Sequence, residues 1–140
     1  MKQMVARCLV EGNAEGTPLV LRTPLSFWGG LDPETGRVID RTHPSCGAIV
    51  TGRILVMPAG RGSSSASSIL AEAVRAGTAP SGIILGDPDP IITVGAIVAQ
   101  RLYGRTCPVV VCQPLDFDLF ENSLRVQISG TTVISFDSWQ

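Results

Sequence analysis

Three short runs of aliphatic residues near the middle of the chain constrain its fold more than any other feature. Residues 54–56, 83–85 and 109–111 contain only valine, leucine and isoleucine. Runs without polar alternation predict strands that are buried on both faces, which is typical of parallel sheets. Each gap between the runs carries one helical pattern, so we predict a β-α-β-α-β centre whose parallel strands are joined by right-handed crossovers.

The two helical patterns of this centre are each followed by a glycine. In residues 64–76 apolar side chains recur at helical spacing, and Gly77 follows at the position of a C-terminal glycine cap. The second pattern covers residues 92–103 and ends before Gly104. We therefore expect strands at 52–57, 81–85 and 109–112, separated from the helices by loops at 58–63 and 86–90.

Two further strand patterns precede this centre. Residues 4–10 alternate loosely and predict a first strand, which is followed by a turn at Gly12 and Asn13. Residues 17–23 predict a second strand. Pro18 within it has no amide hydrogen to donate, so it favours a position at the edge of a sheet.

A hairpin pattern follows the centre, with strands predicted at 124–128 and 132–136. A length of 140 residues suits one domain, 1–140. The expected fold class is therefore α/β, a single domain in which strands from both ends of the chain surround the β-α-β-α-β centre.

A long connection between residues 24 and 47 is punctuated by glycine and proline, and only residues 37–40 predict a short strand. Compact domains rarely keep a loop of this length without a function. Phe27 and Trp28 are large apolar residues within it, so they either cap the core or dock on a partner. His43 is the only histidine and cannot build a metal site alone, so we expect it at the surface or facing a partner.

Charge and hydropathy argue against several classes of protein. The net charge is -1 and no basic stripe is present, which argues against a nucleic-acid partner. The longest apolar stretch, residues 91–99, is too short to span a bilayer, so we expect no membrane partner. Charged residues make up only 16% of the chain, which fits equally well a surface covered by a partner and a compact, weakly charged domain.

The four cysteines show no spacing that is typical of a metal site. Cys8, Cys46, Cys107 and Cys112 include no C-x-x-C pair. No signal-peptide pattern is visible in the first residues either. We therefore expect a cytoplasmic protein with reduced thiols and without a metal site of its own.

The strongest chemical signal is the loop around Gly60, Arg61, Gly62 and Ser63, between a predicted buried strand and a predicted helix. Glycine lets the backbone approach a ligand, and the free N–H groups of a helix N-terminus attract an anion. The same field favours a developing alkoxide on a serine, and Arg61 has the chemistry to pair with a carboxylate or a phosphate. An alternative of equal weight is that one of the serines at 63–65 only caps the helix.

Three familiar motifs do not fit this loop. A dinucleotide-binding G-x-G-x-x-G fails because Ser65 stands at the last glycine position, and a P-loop lacks its lysine. Residues 62–66 resemble the nucleophile elbow of serine hydrolases, but that fold requires a histidine after the serine, and His43 precedes it. Asp87 and Asp89, each before a proline, are expected to mark a turn rather than to bind a metal.

Three segments taken together resemble one known family. They are SFWGGLD at residues 26–32, with ETG and VID shortly after it, PAGRGSSSAS at 58–67, and AP at 79–80 with TVGAIV at 93–98. In this combination, and over residues 5–136, the chain resembles the small subunit, or swivel domain, of the aconitase-X dehydratases. The resemblance implies an aconitase-swivel-like β/β/α domain.

The same resemblance implies the small subunit of a hydro-lyase. The large subunit is expected to hold an iron–sulfur cluster on its own cysteines, where iron acts as a Lewis acid on the leaving hydroxyl. Ser63 corresponds to the serine that accepts the proton, and the substrate is expected against Gly60, Arg61, Gly62, Ser64 and Ser65. The loop expected to face the active site or the large subunit contains Phe27, Trp28, Gly29, Gly30, Asp32 and His43.

Two substrates fit the resemblance, cis-3-hydroxy-L-proline and phosphomevalonate. Lys2 is the only lysine among the eleven lysine and arginine residues, a bias typical of GC-rich bacterial genomes. Bacterial members of the family resemble hydroxyproline dehydratases, so we favour cis-3-hydroxy-L-proline as the small-molecule substrate. A module that only binds an anion or docks a partner, without catalysis, is the alternative from another class.

Overall fold

The computed structural model describes residues 1–137, in which strands from both ends of the chain surround a parallel centre. None of the helices in this part of the chain is long and apolar enough to cross a membrane. In chain order the elements are β1 (Lys2–Val5), β2 (Arg7–Val10), β3 (Asn13–Gly16), β4 (Pro18–Val20), α1 (Phe27–Gly30), β5 (Leu31–Asp32), β6 (Arg37–Val38), β7 (Ile54–Met57), α2 (Ala66–Ala76), β8 (Gly82–Leu85), α3 (Pro90–Tyr103), β9 (Val109–Val111), α4 (Phe117–Glu121), β10 (Arg125–Ser129) and β11 (Thr132–Phe136).

A five-stranded sheet in the order β2-β9-β8-β7-β4 forms the middle layer. Strands β4, β7, β8 and β9 run parallel, whereas β2 is antiparallel to β9. Every residue of β7, β8 and β9 is buried, as their aliphatic composition requires. The predicted β-α-β-α-β centre is therefore confirmed, and β4 is an edge strand as Pro18 indicated.

Alternate residues of this middle sheet enter two separate cores. Leu55 and Ile83 pack with helices α2 and α3 on one face. Ile84 and Val110 pack on the opposite face, where a four-stranded sheet in the order β1-β11-β10-β3 covers them. The chain thus forms one helix layer and two sheet layers, which is the β/β/α arrangement that the resemblance implied.

The strand predicted at residues 4–10 is wrong as a single element. The chain changes direction at the buried Ala6, whose amide donates to the carbonyl of Thr131 at 2.7 Å. β1 pairs with β11 in the four-stranded sheet, whereas β2 pairs with β9 in the five-stranded sheet. One alternating segment therefore contributes strands to two different sheets. Alternation alone does not show where the chain passes from one sheet to the other.

Several predicted boundaries also move. Asn13, expected in a turn, begins β3 and pairs with Ser129. The strand expected at 37–40 is only Arg37–Val38, because it pairs with the two residues of β5. Helix α2 begins at Ala66 rather than at 64, since the serines before it form a turn, and α3 begins at Pro90 rather than at 92. The C-terminal hairpin of β10 and β11 is confirmed.

Candidate functional site

The serine loop, residues 58–65, follows β7 at the carboxyl end of the parallel strands and leads into α2. It lies against the loop after β8, because the amides of Gly86 and Asp87 both donate to the carbonyl of Pro58 at 3.0 Å. Ligands of open α/β sheets bind outside the carboxyl ends of the strands. The fold therefore places the serine loop where small-molecule sites commonly lie.

Ser63 is half-buried, and its hydroxyl contacts the start of α2. The amide of Ser65 donates to Ser63 Oγ at 3.2 Å. Ser65 itself stands at the N-cap position, but its side chain makes no capping hydrogen bond. Of the three serines that the sequence left open, Ser63 thus makes the side-chain contact with the helix start. An amide aimed at Oγ also stabilises negative charge on that oxygen, so this contact is compatible with a reactive alkoxide.

Glycine is required at position 62 because of the backbone conformation there. Gly62 has a φ of 54°, which lies in the left-handed region that glycine adopts without a steric penalty. A Cβ at this position would meet no atom within 4 Å, so space is not the constraint. Ser64 beyond it is exposed, and its carbonyl accepts the amide of Ser67 at 3.3 Å. The turn at Gly62 therefore directs the chain from the sheet edge into the helix.

Gly60 is required for a different reason, which is a close approach to Asp89. A Cβ on Gly60 would collide with Asp89 Oδ2. Asp89 is the N-cap of α3, where its Oδ1 accepts the amides of Ile91 at 2.8 Å and Ile92 at 3.1 Å. From the sequence, Asp89 was expected only to mark a turn. The signal for its capping role was present, because aspartate followed by proline is typical of the N-cap and first positions of a helix.

Ser63 lines a narrow crevice between the serine loop, the start of α3 and the segment before α1. The crevice offers about 10 Å³ of space, whereas ordinary ligand sites offer several hundred. A larger hollow of about 500 Å³ near Met1 and Asp116 contains no residue of the serine loop. We place the candidate site at Ser63 because the reactive hydroxyl and the groups that attract an anion lie there. The crevice alone does not enclose a substrate. The crevice is lined by Leu25, Phe27, Gly60, Arg61, Ser63, Ala66, Asp89, Ile91 and Ile92.

The exposed side chain of Arg61 lies near the loop that the sequence analysis assigned to a partner. Hydrogen bonds from Thr42 lower the pKa of Asp40 below its usual range, and the charge of Arg61 contributes in the same direction. Arg61 also lines the same crevice as Leu25 and Phe27 of the long connection. The two loops singled out from the sequence meet at one edge of the molecule, and the guanidinium there is accessible to an anionic group.

His43 is buried, which contradicts the expectation of a surface side chain. Only 6% of its surface is exposed. Its Nε2 lies 2.9 Å from the carbonyl of Thr23, and its Nδ1 accepts the amide of Ser45 at 3.0 Å. Because Nδ1 is an acceptor, the proton belongs on Nε2, which donates to Thr23. His43 thus joins the two ends of the long connection, a role that one histidine in a loop does not reveal in sequence.

Phe27 and Trp28 differ in burial. Phe27 is 1% exposed and caps the core, whereas Trp28 is 57% exposed, and its docking on a partner stays a prediction. Gly29 has a φ of 77°, so the backbone kinks directly after the tryptophan. Gly30 is buried, and its carbonyl accepts the amide of Ile39 at 2.8 Å. Trp28 is therefore presented to the outside by a backbone that glycine makes possible.

Asp32 has a local structural role in the turn between β5 and β6. Its carboxylate accepts the amide of Glu34 at 2.9 Å and the hydroxyl of Thr35 at 3.0 Å. These bonds stabilise the turn between β5 and β6 within the long connection. A contact between Asp32 and another subunit stays a prediction.

The thiols of this chain do not fit an iron–sulfur cluster. Burial raises the pKa of Cys107 to about 12 and that of Cys112 to about 11, which disfavours the thiolate that a metal requires. Cys46 is exposed and Cys8 is partly buried, and neither is in a disulfide. Within residues 1–137, no group of three or more histidine, cysteine or acidic side chains is placed to hold a metal ion.

Comparisons with known proteins agree with this architecture. The family model described as Aconitase X swivel domain matches residues 3–136. The chain also matches a crystal structure of Thermococcus kodakaraensis aconitase X in its holo-form, with a TM-score of 0.82 and 32% identity. That match covers 97% of this chain and 99% of the other.

Curated relatives fall under two names. The chain is 50% identical over 106 residues to the cis-3-hydroxy-L-proline dehydratase of Pseudomonas aeruginosa, which is 76% of this chain and 18% of that protein. It is 44% identical over 125 residues to the phosphomevalonate dehydratase small subunit of Methanothermobacter thermautotrophicus, covering 89% and 91% of the two chains. The chain thus spans about a fifth of the hydroxyproline dehydratases that it matches. The chain belongs to the aconitase X swivel domain family.

Proposed function

We propose that this chain is the small catalytic subunit of a hydro-lyase that removes water from a small hydroxy acid. The observation that carries the proposal is the position of Ser63 in an anion-attracting turn beside a crevice too small to enclose a substrate. Such a site requires a second surface to complete it. The named relatives, which are dehydratases and dehydratase small subunits, support the same conclusion.

In this proposal Ser63 is the proton acceptor. Dehydration breaks a C–H bond and a C–O bond. The Ser63 alkoxide takes the proton and becomes a hydroxyl, the C–H electron pair forms the new double bond, and the hydroxyl group of the substrate leaves as hydroxide with the C–O electron pair. A serine alkoxide exists only where it is stabilised, and the amide of Ser65 and the N-terminus of α2 supply that stabilisation. The exposed Arg61 is placed to attract an anionic group of the substrate towards the turn.

The partner in this proposal is a large subunit that holds an iron–sulfur cluster and most of the substrate pocket. Burial raises the pKa of Cys107 and Cys112, which disfavours these two thiols as cluster ligands and supports that division. The exposed Trp28 directly follows Phe27, which lines the crevice, and this supports the same face as the one that meets the large subunit.

We propose cis-3-hydroxy-L-proline as the substrate, supported by relatives of that name that are 50% and 40% identical. Phosphomevalonate is the second candidate. It is favoured by the 91% coverage of the Methanothermobacter small subunit. Both substrates carry an anionic group, so the serine loop does not discriminate between them.

The proposal is tested by co-expressing this chain anaerobically with the large subunit from the same genome. Dehydration of cis-3-hydroxy-L-proline and of mevalonate 5-phosphate is then measured in parallel. We expect turnover of the first substrate, and a loss of about 10²- to 10⁴-fold in Ser63→Ala with assembly intact. Ser68→Ala, an exposed position on α2, is the matched control and should retain turnover.

Each alternative predicts a different result of this experiment. Turnover of mevalonate 5-phosphate alone would reassign the substrate and leave the role of Ser63 in place. Unchanged turnover in Ser63→Ala would show that the serine only caps the helix. No turnover of either substrate by a complex with an intact cluster would favour a module that binds without catalysis.

A further inference from the structure

The serine loop is fixed at two points on the first turn of α3, one on each side of Ser63. The first point joins Gly60 to Asp89, and the second joins Ser67 to Ile91. Ser63 lies between them in sequence. The position of its oxygen therefore depends on where α3 begins.

Asp89 is itself held rigidly, so it can serve as a fixed point. Its Oδ1 accepts the amides of Ile91 and Ile92, and its carbonyl accepts the hydroxyl of Thr93 at 2.7 Å. The amide of Thr93 also donates to this carbonyl at 3.1 Å, so four hydrogen bonds act on one residue through its side chain and its backbone. The second carboxylate oxygen, Oδ2, points to the serine loop and lies where a Cβ of residue 60 would stand.

The contact with Gly60 leaves no free space. A Cβ at this position would come within 2.8 Å of Asp89 Cγ and 3.1 Å of Ile92 Cδ1, in addition to its collision with Oδ2. Real Cβ atoms do not approach other atoms so closely, so either the carboxylate or the loop would have to move. Because Gly60 has no side chain, the Asp89 carboxylate occupies the space that a Cβ of residue 60 would fill.

The second fixed point acts on the other side of the serine. Ser67 Oγ donates to the carbonyl of Ile91 at 2.6 Å. The backbone of Ser67 also packs against Gly95, where a Cβ would come 2.8 Å from the Ser67 carbonyl oxygen. The start of α2 is thus tied to α3 independently of Asp89.

We propose that Asp89 is a positioning residue for Ser63: by occupying the space beside Gly60, its carboxylate fixes the serine loop against the first turn of α3. The inference rests on the proposed role of Ser63 as proton acceptor. The positioning role depends on the shape of the Asp89 side chain and not on its ability to exchange a proton. Substitutions that change one property and keep the other therefore test the proposal.

Three substitutions of Asp89 separate shape, helix capping and proton transfer. Asp89→Asn keeps the shape and the cap, and should retain most of the turnover of the assembled enzyme. Asp89→Ser keeps a cap but is too short to reach Gly60, and should lose roughly 10- to 100-fold in kcat with little change in KM. If Asp89→Asn is as inactive as Ser63→Ala, the carboxylate takes part in proton transfer and the positioning role is wrong.

The collision at Gly60 provides a second-site test. Gly60→Ala alone should displace the serine loop and lose turnover by a similar factor. Asp89→Ser removes the colliding Oδ2. The double variant Gly60→Ala with Asp89→Ser should therefore turn over at least about tenfold faster than Gly60→Ala alone. If the double variant is as poor as the product of the two single losses, the contact does not position the loop.

A measurement on the full chain alone separates this proposal from the proposed function. In nitrogen-15 NMR spectra, Asp89→Ser should shift the amides of Gly62, Ser63 and Ser65, whereas Asp89→Asn should leave them near their wild-type positions. Val94→Ala, on the exposed face of α3, is the control. Shifts without any hydro-lyase activity would support the positioning and refute the function, and unshifted amides in Asp89→Ser would overturn the positioning itself.

Discussion

At the scale of single residues, the hydroxyl of Ser63 has a structural contact with the start of α2 and, in the proposed mechanism, a chemical role. The amide that it accepts from Ser65 satisfies one of the free N–H groups at the start of α2. The same bond lowers the cost of negative charge on the oxygen. In the proposed mechanism, the contact with Ser65 and the acceptance of a proton use the same oxygen of Ser63.

Buried thiols give the chain a specific dependence of stability on pH. Burial raises the pKa of Cys107 from 9.0 to about 12, so in alkaline solution the unfolded chain releases a proton that the folded chain retains. The free energy of unfolding should therefore fall as pH rises from about 9, by about 1 kcal/mol per pH unit for this thiol. Urea unfolding at pH 8 and pH 10 measures the slope.

The control for this slope is Cys107→Val, which removes the titrating group and keeps a small apolar side chain. Its unfolding free energy should decline less steeply between pH 8 and pH 10 than that of the wild type. An identical slope in both proteins would mean that other groups cause the decline. Burial also raises the pKa of Cys112, to about 11, but Cys112 is present in both proteins, so the difference between the two slopes reports on Cys107.

The sequence predicted the serine loop but only part of its surroundings. Gly60 and Gly62 were recognisable because glycine beside a strand end and a helix start is a strong local pattern. Asp89 was interpreted as a turn residue, since its contact with Gly60 joins loops from two different strands. His43 was expected at the surface, because nothing local to it reveals the Thr23 carbonyl that it binds.

At the scale of elements, the close packing of α2 on α3 decides how the serine loop is held. Gly95 permits this packing, because a Cβ there would come 2.8 Å from the carbonyl oxygen of Ser67 and 3.2 Å from Leu70 Cβ. The obstacle is backbone, which cannot rotate away as a side chain can. The start of α2 and the middle of α3 are therefore in contact at their backbones.

Gly95→Ala should force these helices apart and destabilise the fold by about 1–3 kcal/mol, in spite of the better helix propensity of alanine. Urea or thermal unfolding of the full chain measures the change. Val94→Ala is the matched control on the same turn, and should change stability by about 0.5 kcal/mol or less because Val94 is 49% exposed. Equal stability of Gly95→Ala and the wild type would mean that the helices separate without cost.

Elements whose signals are local were predictable, and elements defined by distant partners were not. The strands β7, β8 and β9 appear directly in their aliphatic runs. The break at Ala6 and the strand that begins at Asn13 depend instead on pairing with the C-terminal hairpin. No pattern within the first twenty residues contains that information.

At the scale of the whole molecule, Trp28 and Leu102 are two exposed apolar side chains in different elements. Trp28 is 57% exposed and follows Phe27, which lines the crevice, and Ile39 directly after β6 is 44% exposed. Leu102 is 67% exposed near the end of α3, where Val98 is also accessible. Exposed apolar patches mark interaction surfaces, and of these two side chains only Trp28 directly follows a residue that lines the crevice.

We therefore expect Trp28→Ala to weaken binding of the large subunit by at least about tenfold, because large aromatic side chains dominate the energy of interfaces. Leu102→Ala removes a similarly exposed apolar side chain far along α3, and should leave the affinity near that of the wild type. Titration calorimetry of the separate subunits measures both. Equal effects of the two substitutions would mean that the crevice face is not the interface.

The pairing of β1 with β11 fixes the order of events when the protein is made. The first strand and the last are neighbours, and the amino group of Met1 lies 3.3 Å from Asp137 Oδ1. Ribosomes add roughly 5–20 residues per second, so the first strand emerges about ten seconds before its partner exists. The four-stranded sheet closes only after β11 has been synthesised, and until then one face of the five-stranded sheet is uncovered.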